Sequence, residues 1–352
     1  MAPAPAHVLT VNAGSSSLKL RVLDGEDAVV CGRDAAAIDG EAELRAELEA
    51  ILAAAPAIDA AGHRVVHGGP EFTGPAVVDP GVEAELEALA DLAPLHNPPA
   101  LAAMRALEAL RPRLPTVACF DTAFHATLPA AASTYAIPAA WSERWPLRRY
   151  GFHGLSHAYA SRRAAELLGT SPAELRLVTA HLGAGASLAA VAAGRSVETT
   201  MGFTPLEGLV MATRSGSVDP GLLLWVQRHG ELGAEEVECA LDRESGLLAL
   251  SGRSGDMREV IAGVEAGDER CQLAFDVYVH RLAAGVAAMA AAMGGLDALV
   301  FTGGVGENAP AVRAATAEAT AFLGVGTPAV PVLVVPARED LEIAAQVRAA
   351  LA

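Results

Sequence analysis

One short pattern occurs twice along this 352-residue chain, and it narrows the fold more than any other feature. His7 to Asn12 is apolar and β-prone, Ala13 to Ser17 is a turn of small residues, and Leu18 to Leu23 alternates as a half-buried strand does. That reads as a hairpin. A second version runs from Leu175 to Val191, where RLVTAHL leads into GAGAS and then LAAV. Two such hairpins imply two lobes, each built around one glycine/serine turn, and a chain of this length suffices for two domains.

Helical periodicity fills the intervals: Glu41 to Leu52, Val82 to Leu92, Pro99 to Leu110, His157 to Leu168, Asp268 to Met293 and Ala309 to Phe322. Strands alternating with helices predict an α/β protein. Asp297 to Thr302 reads as a strand, Gly303 to Glu307 as a turn, and a helix is expected from Asn308 or Ala309. Proline-rich patches at Pro94 to Pro99 and Pro138 to Pro146 mark loops. Leu282 to Phe301 has about the length of a membrane span. It is mostly Ala and Gly and contains Asp297, so a buried helix followed by a strand is the better reading. The start, MAPAPAHVLTV, lacks the basic region and long apolar run of a signal peptide. Cys31, Cys119, Cys239 and Cys271 show no CxxC pair or metal-ligand spacing, which fits a reducing compartment and buried small apolar residues. A cytoplasmic protein is expected.

The formal charge of -17 opposes an unassisted grip on nucleic acid or an acidic membrane, so neither is expected as a partner. Any phosphate site must then be local. The chain has 24 Arg but a single Lys, Lys19, and only three Asn: Asn12, Asn97 and Asn308. That is the imprint of a G+C-rich gene, and it makes the residues that survive the bias candidates for function.

NAGSSSLK at 12 to 19 offers small residues, hydroxyls and backbone N–H groups for a close approach to phosphate, with one point charge at its end. A P-loop would show GxxxxGK followed by Ser or Thr and a helix; here a strand follows, so the phosphate grip is of the hairpin type. HLGAG at 181 to 185 and FTGGVGEN at 301 to 308 are further glycine turns after apolar strands, the second opening a helix whose N-terminus favours phosphate. Three such turns in one acidic chain argue for a nucleotide site. GHRVVHGG (62 to 69), FDTAFH (120 to 125), YGFHGLSH (150 to 157) and TRSGSVDP (213 to 220) gather Arg, Asp and His beside glycines. Phosphoryl transfer needs cations around the equatorial oxygens and a metal bridging phosphates, which suits Arg64, Arg214 and a carboxylate-held Mg²⁺. His125 and His157 read equally well as buried structural histidines.

These segments, with LAPLHNPPAL, MGFTPLEGLVMATRSG and DMR, occur in the order seen in acetate kinases, and the chain resembles that family from about residue 8 to 345. The resemblance implies the two-domain α/β fold shared with actin, hexokinase and the 70-kDa heat-shock chaperones, with the active site in the cleft and a homodimeric assembly. One lobe would comprise residues 1–122 with 341–352, the other residues 123–340. It implies acetate and ATP as substrates, acetyl phosphate and ADP as products, and Mg²⁺ (or Mn²⁺) as metal. A propionate or butyrate kinase, or a nucleotide-binding homologue with weakened chemistry, are the alternatives.

By the same resemblance, Asp121, Arg64, Arg214 and His153 would be catalytic. Asn12 and Lys19 would serve the metal and phosphates in the first hairpin, and His181 and Gly183 the second. Asp256, Arg258, Gly303, Gly304, Gly306 and Asn308 would contact the nucleotide. Glu339, in PARED, would be the magnesium-linked carboxylate, and the acetate methyl group would meet Val66, Leu95, Phe152 and Pro205. Two departures stand out: Ala184 where the family usually has Asn, and Ser217 where it has Asp, so one acidic group near Arg214 is missing. The stretch between Asp24 and Gly62 is also shorter than usual.

Overall fold

The computed structural model describes residues 5–14, 17–36, 38, 40–89 and 97–352. The chain forms two compact units. One comprises Met1–Ala126, Phe152–Tyr159 and Arg338–Ala352, the other Thr127–Gly151 and Ala160–Ala337.

The first unit holds strands β1 (Val8–Ala13), β2 (Ser17–Leu23), β3 (Val29–Ala36), β4 (Ala60–Val65), β5 (Ala76–Val77) and β6 (Thr116–Phe120). They form one sheet in the order β3-β2-β1-β4-β6-β5. The expected hairpin is β1 with β2, antiparallel, with Asn12 opposite Lys19. β1, β4 and β6 run parallel. Alternation splits the apolar side chains between two faces. Leu9, Val11, Leu20, Val22 and Ala61 meet Leu44, Leu48 and Ile51 of the helix Glu41–Ala54 and Ala103, Ala106 and Leu107 of the helix Asn97–Leu110. Val8, Leu23, Ala60, Val117 and Cys119 meet Ile343, Ala344 and Val347 of the C-terminal helix Glu339–Leu351. Gly62 permits that second contact: a Cβ there would lie 2.6 Å from a Val347 methyl and against Ile343.

The second unit repeats the plan. Its sheet, β11-β10-β7-β8-β9, is built from β7 (Arg176–Leu182), β8 (Ala186–Ala192), β9 (Arg195–Thr199), β10 (Ala298–Thr302) and β11 (Val332–Val334). β7 and β8 form the second hairpin, and β7, β10 and β11 run parallel. In each sheet a three-stranded antiparallel meander leads into parallel strands, so the two hairpins occupy equivalent places.

The predicted turn at Gly303 to Glu307 is instead a short helix, Gly303–Asn308, ahead of Pro310–Ala319. The Pro138 to Pro146 patch, read as loop, contains the helix Ala139–Arg144, because Pro138 supplies an extended N-cap rather than an interruption. Only Cys119 and Cys271 are buried, whereas Cys31 is half-buried and Cys239 exposed. The helix Glu269–Met293, capped by the Asp268 carboxylate, is long and apolar enough by composition to cross a membrane. Here one side of it is buried through Cys271, Ala274, Tyr278, Leu282 and Val286.

Candidate active site

Asn12, Arg64 and Asp121 stand at or just past the carboxyl ends of β1, β4 and β6, three adjacent parallel strands. In α/β sheets ligands collect at this edge. Register makes the trio a row with Arg64 in the middle: Val11 pairs with His63, and the Asp121 amide donates to the Val65 carbonyl at 2.9 Å. The Arg64 side chain contacts both neighbours. Its Nε donates to both Asp121 oxygens at 3.1 and 3.2 Å, its Nη2 to Asp121 Oδ2 at 2.6 Å, and its Nη1 to Asn12 Oδ1 at 3.2 Å.

Glu339 completes the group from 327 residues further along: Asn12 Nδ2 donates to Glu339 Oε2 at 2.8 Å, and Arg64 Nη1 lies 3.7 Å from the same oxygen. Gly62 explains this meeting. The C-terminal helix rests on Gly62, and Arg64, one pleat along the same face, meets the helix at its first residue. Burial works against the Arg64 charge, but Asp121 and Glu339 outweigh it and hold the guanidinium more firmly protonated than a free arginine. Burial pushes the Asp121 carboxyl above the ordinary carboxylate range, Arg64 pulls against that shift, and the Glu339 carboxylate adds to it.

His153 belongs to the same unit. Its backbone amide hydrogen-bonds the Asp121 carboxyl, and the next residue's amide, Gly154, donates to the Asp121 carbonyl at 2.9 Å. A Cβ at position 154 would collide with that carbonyl. His153 has φ +56°, a left-handed conformation that costs a non-glycine residue on the order of 1 kcal/mol and is typical of functional turns. The His153 ring is half-exposed, with its centroid 6.5 Å from that of buried His157. His157 in turn lies edge-on to His125, whose Nε2 is 3.0 Å from the Phe152 carbonyl. Burial lowers the His125 pKa to about 4 and that of His63 to about 3. Both rings are therefore neutral at physiological pH.

Of the predicted acetate contacts, Val66 and Phe152 are buried in this unit, Pro205 is half-buried in the other, and Leu95 lies outside the described residues. The segment following Val66 is pinned by Asn97, which accepts from the His67 amide at 3.1 Å and donates to its carbonyl at 3.0 Å. The Gly68 amide adds a bond to Thr122 Oγ1 at 3.0 Å. Asn97 is thus a supporting residue, marked beforehand by its rarity and by its place in LAPLHNPPAL.

Among the described residues no group of three or more His, Cys, Asp or Glu is spaced to hold a metal. Magnesium needs less, since it takes one or two carboxylates together with phosphate oxygens and water. The Glu339 carboxylate, one oxygen of which accepts from Asn12 Nδ2, is a hard oxygen donor, Asn12 Oδ1, which here accepts from Arg64 Nη1, is a second, and Glu339 raises the Asp121 pKa through like charge. A divalent cation would relieve that repulsion, so the donor set fits.

In the second unit β7 ends on His181 and Leu182, and β10 on Thr302, paired with His181. Gly183 closes the hairpin with a 2.8 Å bond to the Gly185 carbonyl, and Ala184 is exposed at its tip. Gly303 has φ +79°, and a Cβ there would lie 2.8 Å from the Leu182 carbonyl, so the two turns touch through a glycine. Gly304 and Asn308 are exposed and Gly306 buried, with Asn308 Nδ2 bonded to the Gly304 carbonyl at 2.9 Å. Asp256 caps the helix Met257–Glu265 through the Arg258 amide and pairs with the exposed Arg258 side chain at 2.5 Å. Lys19 is exposed in the first unit. Arg214 is half-buried, with Nε on Asp242 Oδ1 at 2.8 Å and Nη1 on the Pro205 carbonyl at 3.3 Å. Asp242 carries no motif, and sequence reading missed it.

Comparisons with known proteins place these features in a family context. A profile of the Acetokinase family matches residues 34–340. An acetate kinase of Leifsonia xyli is 46% identical over 394 aligned positions, which span 98% of this chain and 99% of that protein. The crystal structure of Porphyromonas gingivalis acetate kinase matches with a TM-score of 0.91 at 37% identity, over 99% of this chain and 100% of that one. A propionate kinase of Francisella tularensis matches at 0.89 and 33% identity, over 97% and 98%.

Proposed function

The chain belongs to the acetokinase family, and on that premise we propose how its residues carry the reversible transfer of the ATP γ-phosphoryl group to acetate, giving acetyl phosphate and ADP. It shares the family's two-lobe, actin-like α/β fold. The observation that carries the residue assignment is the Arg64 guanidinium, fixed between Asn12, Asp121 and Glu339 at the carboxyl edge of three strands.

Acetate is ionised at neutral pH, so its attack requires no general base. One carboxylate oxygen bonds the γ-phosphorus while the bond to the β,γ-bridging oxygen breaks, and ADP leaves with that electron pair. Negative charge on the equatorial oxygens is assigned to arginine cations. Arg64 is one of them, its Nε and Nη2 edge locked by Asp121. Asp121 therefore acts as a positioning residue, with its oxygens engaged by Arg64 and the His153 amide. His153, held by its turn, is assigned a hydrogen bond to the transferring group, and Arg214 is assigned as a second cation. Val66 and Phe152 supply apolar surface for the acetate methyl group.

Asn12 and Glu339 would hold Mg²⁺, which when bound neutralises charge on the phosphates. Lys19, His181 and Gly183 are assigned to phosphate, and Asp256, Arg258, Gly303, Gly304, Gly306 and Asn308 to the rest of the nucleotide. We also assign a homodimer that uses the helix Pro220–Gly230, which buries none of its residues and exposes Leu222, Leu224 and Trp225. A cytoplasmic location fits the ATP requirement and the free cysteines.

Purified protein incubated with MgATP and acetate, propionate or butyrate, with acyl phosphate trapped as hydroxamate, tests the reading. Acetate should give the highest turnover. A preference for butyrate would overturn the substrate assignment, and no product with any donor would overturn the reaction.

A further inference from the structure

We propose that Asp242, and not a group at position 217, is the positioning residue of Arg214. The inference rests on the assignment of Arg214 as a cation for the transferring phosphoryl group. Ser217 is occupied elsewhere. Its amide donates to the Gly208 carbonyl at 3.0 Å and its Oγ accepts from the Gly208 amide at 3.1 Å, so it closes the neck of the loop that carries Arg214. The carboxylate on Arg214 comes instead from the end of the helix Ala234–Arg243, with Oδ1 2.8 Å from Nε and both side chains at least three-quarters buried (20% and 25% exposed).

The backbone around both residues is built to keep them together. Thr213 Oγ1 donates to the Asp242 carbonyl at 2.9 Å, the Ser215 amide to the Leu241 carbonyl at 3.0 Å, and the Ser245 amide to the Thr213 carbonyl at 2.9 Å. Arg214 itself accepts the Met211 amide on its carbonyl at 3.1 Å. The residues on both sides of Arg214 are thus stitched to the segment that presents Asp242. With Nε on Asp242 and Nη1 on the Pro205 carbonyl, the guanidinium plane is fixed at two corners. Nη2 makes no hydrogen bond among the described residues. An acid in the last turn of a helix is electrostatically disfavoured by the helix dipole. Pairing with Arg214 offsets that cost and gives Asp242 a reason to be there.

A double-mutant cycle decides it. Asp242→Ala should lower kcat about ten-fold, within the range over which contacting residues couple, at nearly unchanged KM for ATP. Asp242→Asn keeps the Oδ1 acceptor and should recover to within about three-fold of wild type. In an Arg214→Ala background Asp242→Ala should cost nothing further. Asp242→Ser, which cannot span to Arg214 but can hydrogen-bond at the helix end, repeats the cycle should the alanine form fail to fold. A fall of the same factor in both backgrounds, or kcat above half of wild type in Asp242→Ala, overturns the proposal. Near-normal turnover of Arg214→Ala overturns the Arg214 assignment itself, a separate result read from a separate variant.

Discussion

Asp121→Ala is the most informative single change, because it removes a partner without touching the cation that it holds. Arg64 would lose three hydrogen bonds, including the 2.6 Å contact, and keep, among the described residues, Asn12 Oδ1 and the Glu339 oxygen 3.7 Å away. Stripping one partner from a buried ion pair costs about 3–5 kcal/mol. Glu339 can close on Arg64, so the lower end, about 3 kcal/mol, is expected in the unfolding of the first unit. A domain of ordinary stability, about 5–15 kcal/mol, stays folded at assay temperature after such a loss. Turnover should fall further than stability does: a mispositioned electrostatic donor costs roughly 10²- to 10³-fold in kcat. Asp121→Asn retains one acceptor oxygen but turns an N–H toward the Arg64 donors, so it should sit close to the alanine variant rather than to wild type. Steady-state kinetics with the hydroxamate readout, beside thermal melts of the same samples, measure both quantities. A folded Asp121→Ala protein with turnover within about three-fold of wild type would refute the argument that Asp121 holds Arg64 for catalysis.

Acid sensitivity follows from His63, whose two ring nitrogens are buried without a hydrogen-bond partner among the described residues. Its pKa is about 3 in the folded protein against 6.5 in the unfolded chain, so between those values only the unfolded state binds the proton and stability falls as pH drops. The loss is about 1.4 kcal/mol per pH unit below 6.5, roughly 2 kcal/mol at pH 5. His63→Leu should remove that slope and add about 1–3 kcal/mol at pH 7.5; melts at the two pH values that differ as in wild type would count against it. Gly62→Val should lift the C-terminal helix off β4, cost about 1–3 kcal/mol by overpacking, and lower turnover as Glu339 leaves Arg64. Unchanged melting and turnover would contradict the seat described for that helix.

Much was legible because local rules sufficed. The two hairpins, the long helices and the strand before FTGGVGEN each announce themselves through periodicity and turn residues within a few positions, and hydrogen bonds of short sequence range then build them. Arg64 was found because a cation beside glycines at a strand end is chemically conspicuous, whereas Asp121, with no glycine beside it, was marked by the family resemblance of FDTAFH. The short helix at Gly303–Asn308 was misread as a turn because its glycines disfavour a helix locally; Gly303 begins it only in contact with the Leu182 carbonyl.

By itself the sequence determined most of the elements, the two-hairpin plan and the inventory of chemical groups, since each depends on residues near one another in the chain. Tertiary structure alone decided which groups meet. Glu339 reaches Asn12 and Arg64 only because Gly62 leaves room for a helix from the far end of the chain. Arg214 receives its carboxylate from Asp242, a residue with no motif, through packing of the loop against a helix end. Side-chain contacts of this kind are set by sheet register and by helix seating, which sum many weak interactions along the whole chain, and no short stretch of sequence records that sum.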